Sequence, residues 1–163
     1  MQRIARLEGS FTRYQVRVSA AIFDHDAQLL VVQHRRHGRT FWTFPGGSPN
    51  LGESLLHALI REVLEETGYT VEHGDIIALA ELGDSRWESP RLEVIFRATV
   101  NQVVVPEPRS EDQRLNAQWR SLSDVEHEFL PARVLAAAID GRVGRYLGNI
   151  TETTGLDYNE DRA

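Results

Sequence analysis

From Tyr14 to Phe23 the chain alternates, with Val16, Val18, Ala20 and Ile22 on one side of an extended backbone and Arg17 and Ser19 on the other. That period of two predicts a strand with one clearly buried face. Asp24-His25-Asp26 supplies a turn, and Leu29-Leu30-Val31-Val32 follows as an unbroken apolar run. Such a run predicts a strand covered on both sides, and the short turn predicts that it pairs with the first strand as an antiparallel hairpin. Beyond the polar stretch from His34 to Thr40, Phe41-Trp42-Thr43-Phe44 reads as a short aromatic strand halted by Pro45-Gly46-Gly47. The period then lengthens. Leu55, Leu56, Leu59, Ile60 and Val63 recur at helical spacing and predict a helix over 54–67 with Gly68 to stop it. Strand patterns return at 76–82, 92–100 and 116–122. Ser123 and Glu126 have the spacing of a capping box. Pro131 at a first turn, the segment 132–139 and Gly141 predict a second helix.

Strands before, between and after two helices point to an α/β (α+β) fold, a sandwich with a mixed sheet. We read residues 1–150 as one domain and residues 151–163 as a polar tail. A chain of 163 residues suits a single core. With 24 acidic and 18 basic side chains the formal net charge is −6, which argues against a broad grip on nucleic acid. An anionic substrate would then need local cations, either basic side chains or a metal. The absence of cysteine excludes disulfides and thiolate sites. No run of eighteen apolar residues and no signal-like apolar stretch occurs, so the expectation is a soluble, cytoplasmic protein without membrane contact.

On the first helix Glu62, Glu65 and Glu66 stand at i, i+3 and i+4 and share a face. Two such charges about 4 Å apart repel by roughly 4 kcal/mol at an effective dielectric of about 20, although exposed carboxylates swing apart. A solvated helix face with Arg61 as counter-ion and a site for divalent cations both accommodate this spacing. Oxygen ligands without His or Cys would favour a hard ion, magnesium first and manganese behind it. The loop ahead of the helix adds to this, because Gly46 and Gly47 permit a backbone to approach a ligand closely.

Gly47, five residues, Glu53, seven residues, then Arg61-Glu62-Val63-Leu64-Glu65-Glu66-Thr67-Gly68-Tyr69 resembles the Nudix box, the signature of the MutT-like Nudix hydrolases. Every charged and glycine position agrees; the one departure is Tyr69, where the family carries an aliphatic residue. The resemblance implies a Nudix-type α/β/α sandwich and magnesium-dependent hydrolysis of a pyrophosphate bond by metal-activated water. It implies a nucleoside diphosphate derivative as substrate: a nucleoside triphosphate, an oxidised nucleotide or a nucleotide sugar. It further implies that Glu62, Glu65 and Glu66, with the carbonyl of Gly46, hold the metal, and that Arg61 and Glu53 brace them beside Gly47 and Gly68. For the general base, which lies outside the box in several family members, Glu111 is the first choice, among Glu107 and Asp112 in the same loop, Glu93 in a strand and a box glutamate itself. The alternative is a catalytically silent Nudix module that senses a nucleotide or regulates a partner. The basic run from His34 to Arg39 reads either as a solvated hairpin tip or, through Arg35, Arg36 and Arg39, as a contact for substrate phosphates. Trp42, Phe44 and Trp87 read either as core or as stacking surfaces for a base, with Trp42 chosen for the latter. The expected partner is a nucleotide-type small molecule rather than nucleic acid, and a homodimer is left open.

Overall fold

The structure is a computed structural model that describes residues 13–36, 38–83, 90–103, 116–129 and 131–151. Within these residues the elements run β1 (Gln15–Ile22), β2 (Leu29–Arg36), β3 (Arg39–Thr43), β4 (Gly46–Gly47), α1 (Leu55–Thr67) and β5 (Tyr69–Leu82). They continue with β6 (Arg91–Val103), β7 (Asn116–Arg120), α2 (Leu122–Val125), α3 (Ala132–Asp140) and β8 (Arg145–Asn149). Five strands form one sheet in the order β4-β1-β6-β5-β8, and three form a second in the order β3-β2-β7. The larger sheet is mixed, since β1 runs parallel to β6 while β5 runs antiparallel to it.

Both faces of that sheet are covered, which is the sandwich that the element order predicts. On one face Ala58, Leu59 and Val63 of α1 meet Val18, Ala20, Ile22, Val94, Phe96 and Ala98. On the other, Val134, Leu135, Ala137 and Ala138 of α3 meet Ala21, Ala78, Ala80, Leu82 and Ile95. The interior position of β1, between β4 and β6, corrects the one-faced strand read from its alternation. Ser19 is fully buried and Arg17 mostly so, because β1 has β4 on one side, β6 on the other and packed layers above and below.

The expected β1–β2 hairpin is also corrected. Asp24 Oδ1 accepts the N–H groups of Asp26 and Gln28 and closes the turn, and a single bridge joins Phe23 to Leu29. Beyond it the two strands part into different sheets, since β1 finds its partners in β4 and β6 and β2 finds its own in β3 and β7.

The first helix begins and ends where its sequence directs. Ser54 accepts the His57 N–H through its side chain, and Gly68 closes the end in the left-handed region at φ 77°. The Ser123–Glu126 capping box does not form; Ser121 occupies the cap of α2 and its hydroxyl pairs with that of Ser123. Strand β8, flanked and interrupted by Gly144 and Gly148, had no clear apolar alternation to announce it. Strand β5 starts at Tyr69 itself, directly after α1. The Tyr69 hydroxyl accepts the indole N–H of Trp119 at 3.0 Å, and the two rings meet edge to face. This contact ties the end of α1 to β7 of the smaller sheet and gives the aromatic departure from the box a partner.

Removing the Tyr69 hydroxyl by Tyr69→Phe is expected to cost about 1 kcal/mol. In a double-mutant cycle with Trp119→Phe, urea denaturation should show the two losses to be less than additive; full additivity would mean that the contact is not formed in solution.

Candidate active site

Two adjacent glycines bring the parts together. Gly46 pairs with Ser19 and Gly47 with Val18 across the β1 edge. A Cβ on Gly46 would run into the Val18 carbonyl oxygen, and one on Gly47 into the carboxyl group of Glu62. Strand β4 therefore lies against β1, and Glu62 against β4, only because neither residue has a side chain. On the helix side the Gly46 N–H donates to Glu66 Oε2 at 2.8 Å.

Arg61 ties the loop to the helix a second time. Its Nε and Nη2 donate to the two Glu53 oxygens at 2.9 Å each, a two-pronged contact. Nη1 donates to Glu62 Oε1 at 2.8 Å and, more weakly, to Glu65 Oε2 at 3.4 Å, while Nη2 also reaches the Ser48 carbonyl at 3.2 Å. Glu53 accepts the Asn50 N–H besides. Bonding to Arg61, helped by that N–H, holds the Glu53 carboxyl down at about 2 against an ordinary 4.5. The same Glu53 bonds raise the Arg61 pKa above its already high ordinary value, with a further contribution from Glu62. One guanidinium thus serves three carboxylates.

Glu66 is in a different state. Burial pushes its carboxyl up to about 7, reinforced by the neighbouring charges of Glu62 and Glu65 and opposed by Arg17 and by the Gly46 N–H. A half-buried, all-oxygen donor on a helix face that already carries two further carboxylates, with an uncharged N–H as its hydrogen-bond donor, fits a hard divalent cation. The donor chemistry of Glu62, Glu65 and Glu66 therefore suits the expected metal. The turn Asp24-His25-Asp26 also gathers three ligand-type atoms, but His25 and Asp26 are exposed and Asp24 Oδ1 is spent on the N–H groups of its own turn.

The other expected site residues fall in several places. Gly68 caps α1, and Glu53 and Gly47 flank the network described above. Arg35 and Arg39 are exposed near the tip of the β2–β3 hairpin, and neither bonds to a box residue among the described residues. Trp42 is 4% exposed, sits in the core with Phe44, and has the Arg120 guanidinium 5.5 Å over its ring, so it offers no open face to a base. Glu107, Glu111, Asp112 and Trp87 lie outside the described residues, as does the side chain of Arg36.

One charged residue not expected near the box, Arg17, stands on β1 beside Glu93, the strand residue named above as a candidate base. Arg17 on β1 and Glu93 on β6 are cross-strand partners, with Arg17 Nε 3.5 Å from Glu93 Oε1. Glu93 is 7% exposed. The signal that was available is the polar residue at every second position of β1, which alternation alone assigns to solvent.

The NUDIX domain family model matches residues 13–138. "Nucleoside diphosphate-linked moiety X motif 6" of Mus musculus is 37% identical over 78 residues, covering 47% of this chain and 25% of that protein. "NAD-capped RNA hydrolase NudC" of Escherichia coli O157:H7 is 30% identical over 120 residues, covering 72% of this chain and 44% of that one. The chain thus spans less than half the length of either relative. Among solved structures, a NUDIX hydrolase from Nitrosomonas europaea is similar in fold with a TM-score of 0.63 at 23% identity, over 79% of this chain and 88% of the other.

The depressed Glu53 pKa carries a pH signature. A carboxyl at about 2 when folded and 4.5 when free lends stability that is complete above about 4.5 and is lost as the pH falls through 2. Glu53→Gln should therefore lower the urea midpoint at pH 7, and by clearly less at pH 3. An offset that is the same at both pH values would show that the Arg61 pair does not hold this carboxyl in solution.

Proposed function

As the chain belongs to the Nudix family, with the domain matched over residues 13–138, we propose that it is a magnesium-dependent pyrophosphohydrolase of a nucleoside diphosphate derivative. The observation that carries this reading is the carboxylate face of α1, held against a backbone that only Gly46 and Gly47 allow. In the proposed site Glu62, Glu65, Glu66 and the Gly46 carbonyl would hold magnesium, with manganese as a substitute. When bound, the ion neutralises diphosphate oxygens and lowers the pKa of a water positioned to attack phosphorus.

The chain's own residues carry the rest. Arg61 keeps Glu62 and Glu65 from splaying apart, and Glu53 holds the Arg61 fork so that the brace is oriented before ligands arrive. Glu66 is fixed from the loop side by Gly46 and so has little freedom to follow solvent. Glu111 is retained as the proposed base, taking a proton from the attacking water. The substrates proposed are nucleoside triphosphates, their oxidised forms and nucleotide sugars. The described chain has no helix long and apolar enough to cross a membrane.

With a panel of these compounds and magnesium, chromatography of the products should identify a hydrolysed diphosphate. Glu65→Gln should cut that rate by about 100-fold or more, since even outer-shell partners of a metal are worth 10- to 100-fold, while leaving circular dichroism unchanged. Near-full activity in the variant, or no hydrolysis of any compound by the wild type, would refute the reading. Glu111→Gln is expected to lower kcat while leaving the magnesium concentration for half-maximal rate in place; an unchanged kcat would remove Glu111 as base.

A further inference from the structure

A site built from carboxylates repels the anion it is meant to hold, and Arg61 is already committed to Glu53, Glu62, Glu65 and the Ser48 carbonyl. A second guanidinium stands close by. Arg17 precedes Val18, whose partner across the sheet is Gly47, so its backbone lies at the same edge where Glu62 packs on β4. Arg17 is also two residues from Ser19, whose cross-strand partner Gly46 donates its N–H to Glu66. Yet it makes no ion pair with Glu66; its contact is to Glu93, through Nε.

A cation present only to balance Glu66 and Glu93 would be expected to touch both, because burying charge without direct pairing is costly. Arg17 instead leaves both Nη groups without a hydrogen bond among the described residues, and its side chain keeps 20% of its surface open. Glu93, by contrast, is 9% exposed at its side chain and anchored in the middle of the sheet. The guanidinium is thus held along one edge by a rigid partner, with the edge suited to a two-pronged contact with phosphate left over.

We propose that Arg17 binds a phosphate group of the substrate beside the box carboxylates, with its Nη groups on phosphate oxygens while Glu93 holds its Nε. The proposal rests on the hydrolase reading for the identity of the substrate, but its test does not depend on turnover. A diphosphate bound there would meet positive charge from a side chain that shares no carboxylate with Arg61. This cation would also set apart substrates that present a phosphate at the β1 edge from those that do not.

The probe is inorganic pyrophosphate, titrated into the protein with magnesium present and followed by calorimetry. Because Arg17→Met alone would leave Glu93 buried and unbalanced, the informative variant is Arg17→Met with Glu93→Gln, which removes both charges of the pair together. This variant should bind pyrophosphate about tenfold or more weakly, the scale of one charged hydrogen-bonding contact. Arg17→Lys, which keeps the charge but loses the fork, should fall between. Magnesium alone should raise the melting temperature of the double variant about as much as that of the wild type, since the box carboxylates are intact and the net charge beside them is unchanged. A merely collapsed site would lose both responses.

A double variant that keeps its magnesium response but binds pyrophosphate within about twofold of the wild type would overturn the proposal. So would a wild type that does not bind the probe, or a double variant that loses both responses. If binding depends on Arg17 yet no diphosphate compound is hydrolysed by the wild type, the hydrolase reading falls and the phosphate site stands. Hydrolysis with unaltered pyrophosphate binding has the opposite meaning.

Discussion

Backbone contact between β4 and β1, at Gly46 and Gly47 against Ser19 and Val18, is the constraint on which the rest depends. There is no room at either glycine for a single carbon atom, since the Val18 carbonyl fills one place and the Glu62 carboxyl the other. From this contact follow the height of the loop on the sheet, the position of the Gly46 N–H under Glu66, and the rotation of α1 that turns its glutamates toward the loop. The apolar stripe of Ala58, Leu59 and Val63 then fixes the same rotation from the opposite side of the helix. Packing and site geometry are two consequences of one helix orientation.

Charge is distributed around that contact unevenly. Four glutamates stand near the loop, and the neighbouring guanidinium of Arg61 is divided among three of them while Glu66 is left to a backbone N–H. Like charges at this density are tolerable only if something else shares the site, and a protein of formal net charge −6 offers no general positive field to help. In the proposed site a divalent ion on the helix face would relieve this repulsion, with an anionic ligand between that ion and a second guanidinium. Arg17 is the described side chain placed to be that second cation, and Glu93 gives it a fixed orientation.

The smaller sheet shares both core clusters with this frame, through Leu29, Val31 and Trp42 in one and Leu30 in the other. Tyr69 and Trp119 link the end of α1 to β7, while His34 stacks on Phe41 and bonds to Thr43 on the β2–β3 side. Burial, assisted by the charge of Arg17, lowers the His34 pKa to about 4, so this ring is neutral at physiological pH and adds no charge to the basic hairpin. The Trp119 contact thereby anchors β7. An aliphatic residue at position 69 could pack there but could not accept the indole proton.

Much of this was legible in the chain because local rules act over short spans. The helix from Leu55 to Thr67 is written in its apolar spacing, its Ser54 cap and its Gly68 stop, and the acidic face follows from the same 3.6-residue period. The Nudix family was also legible, since its signature is a contiguous string from Gly47 to Tyr69 and the match extends over residues 13–138. Tertiary structure alone decided what faces what. Alternation along β1 marks two sides of a strand but not whether the second side meets water, so Arg17 and Ser19 looked exposed although in the fold β1 lies between β4 and β6, with Ser19 fully buried and Arg17 mostly so. In the same way an aromatic run does not say which ring is core, and Trp42 became core because Arg120 lies over its ring and the segment at Phe129 bridges to it within one apolar cluster. The pairing of Arg17 with Glu93 joins residues from distant parts of the chain through a parallel crossover. Short-range pattern cannot encode it, because the two charges become neighbours only when the strands between them have been laid down.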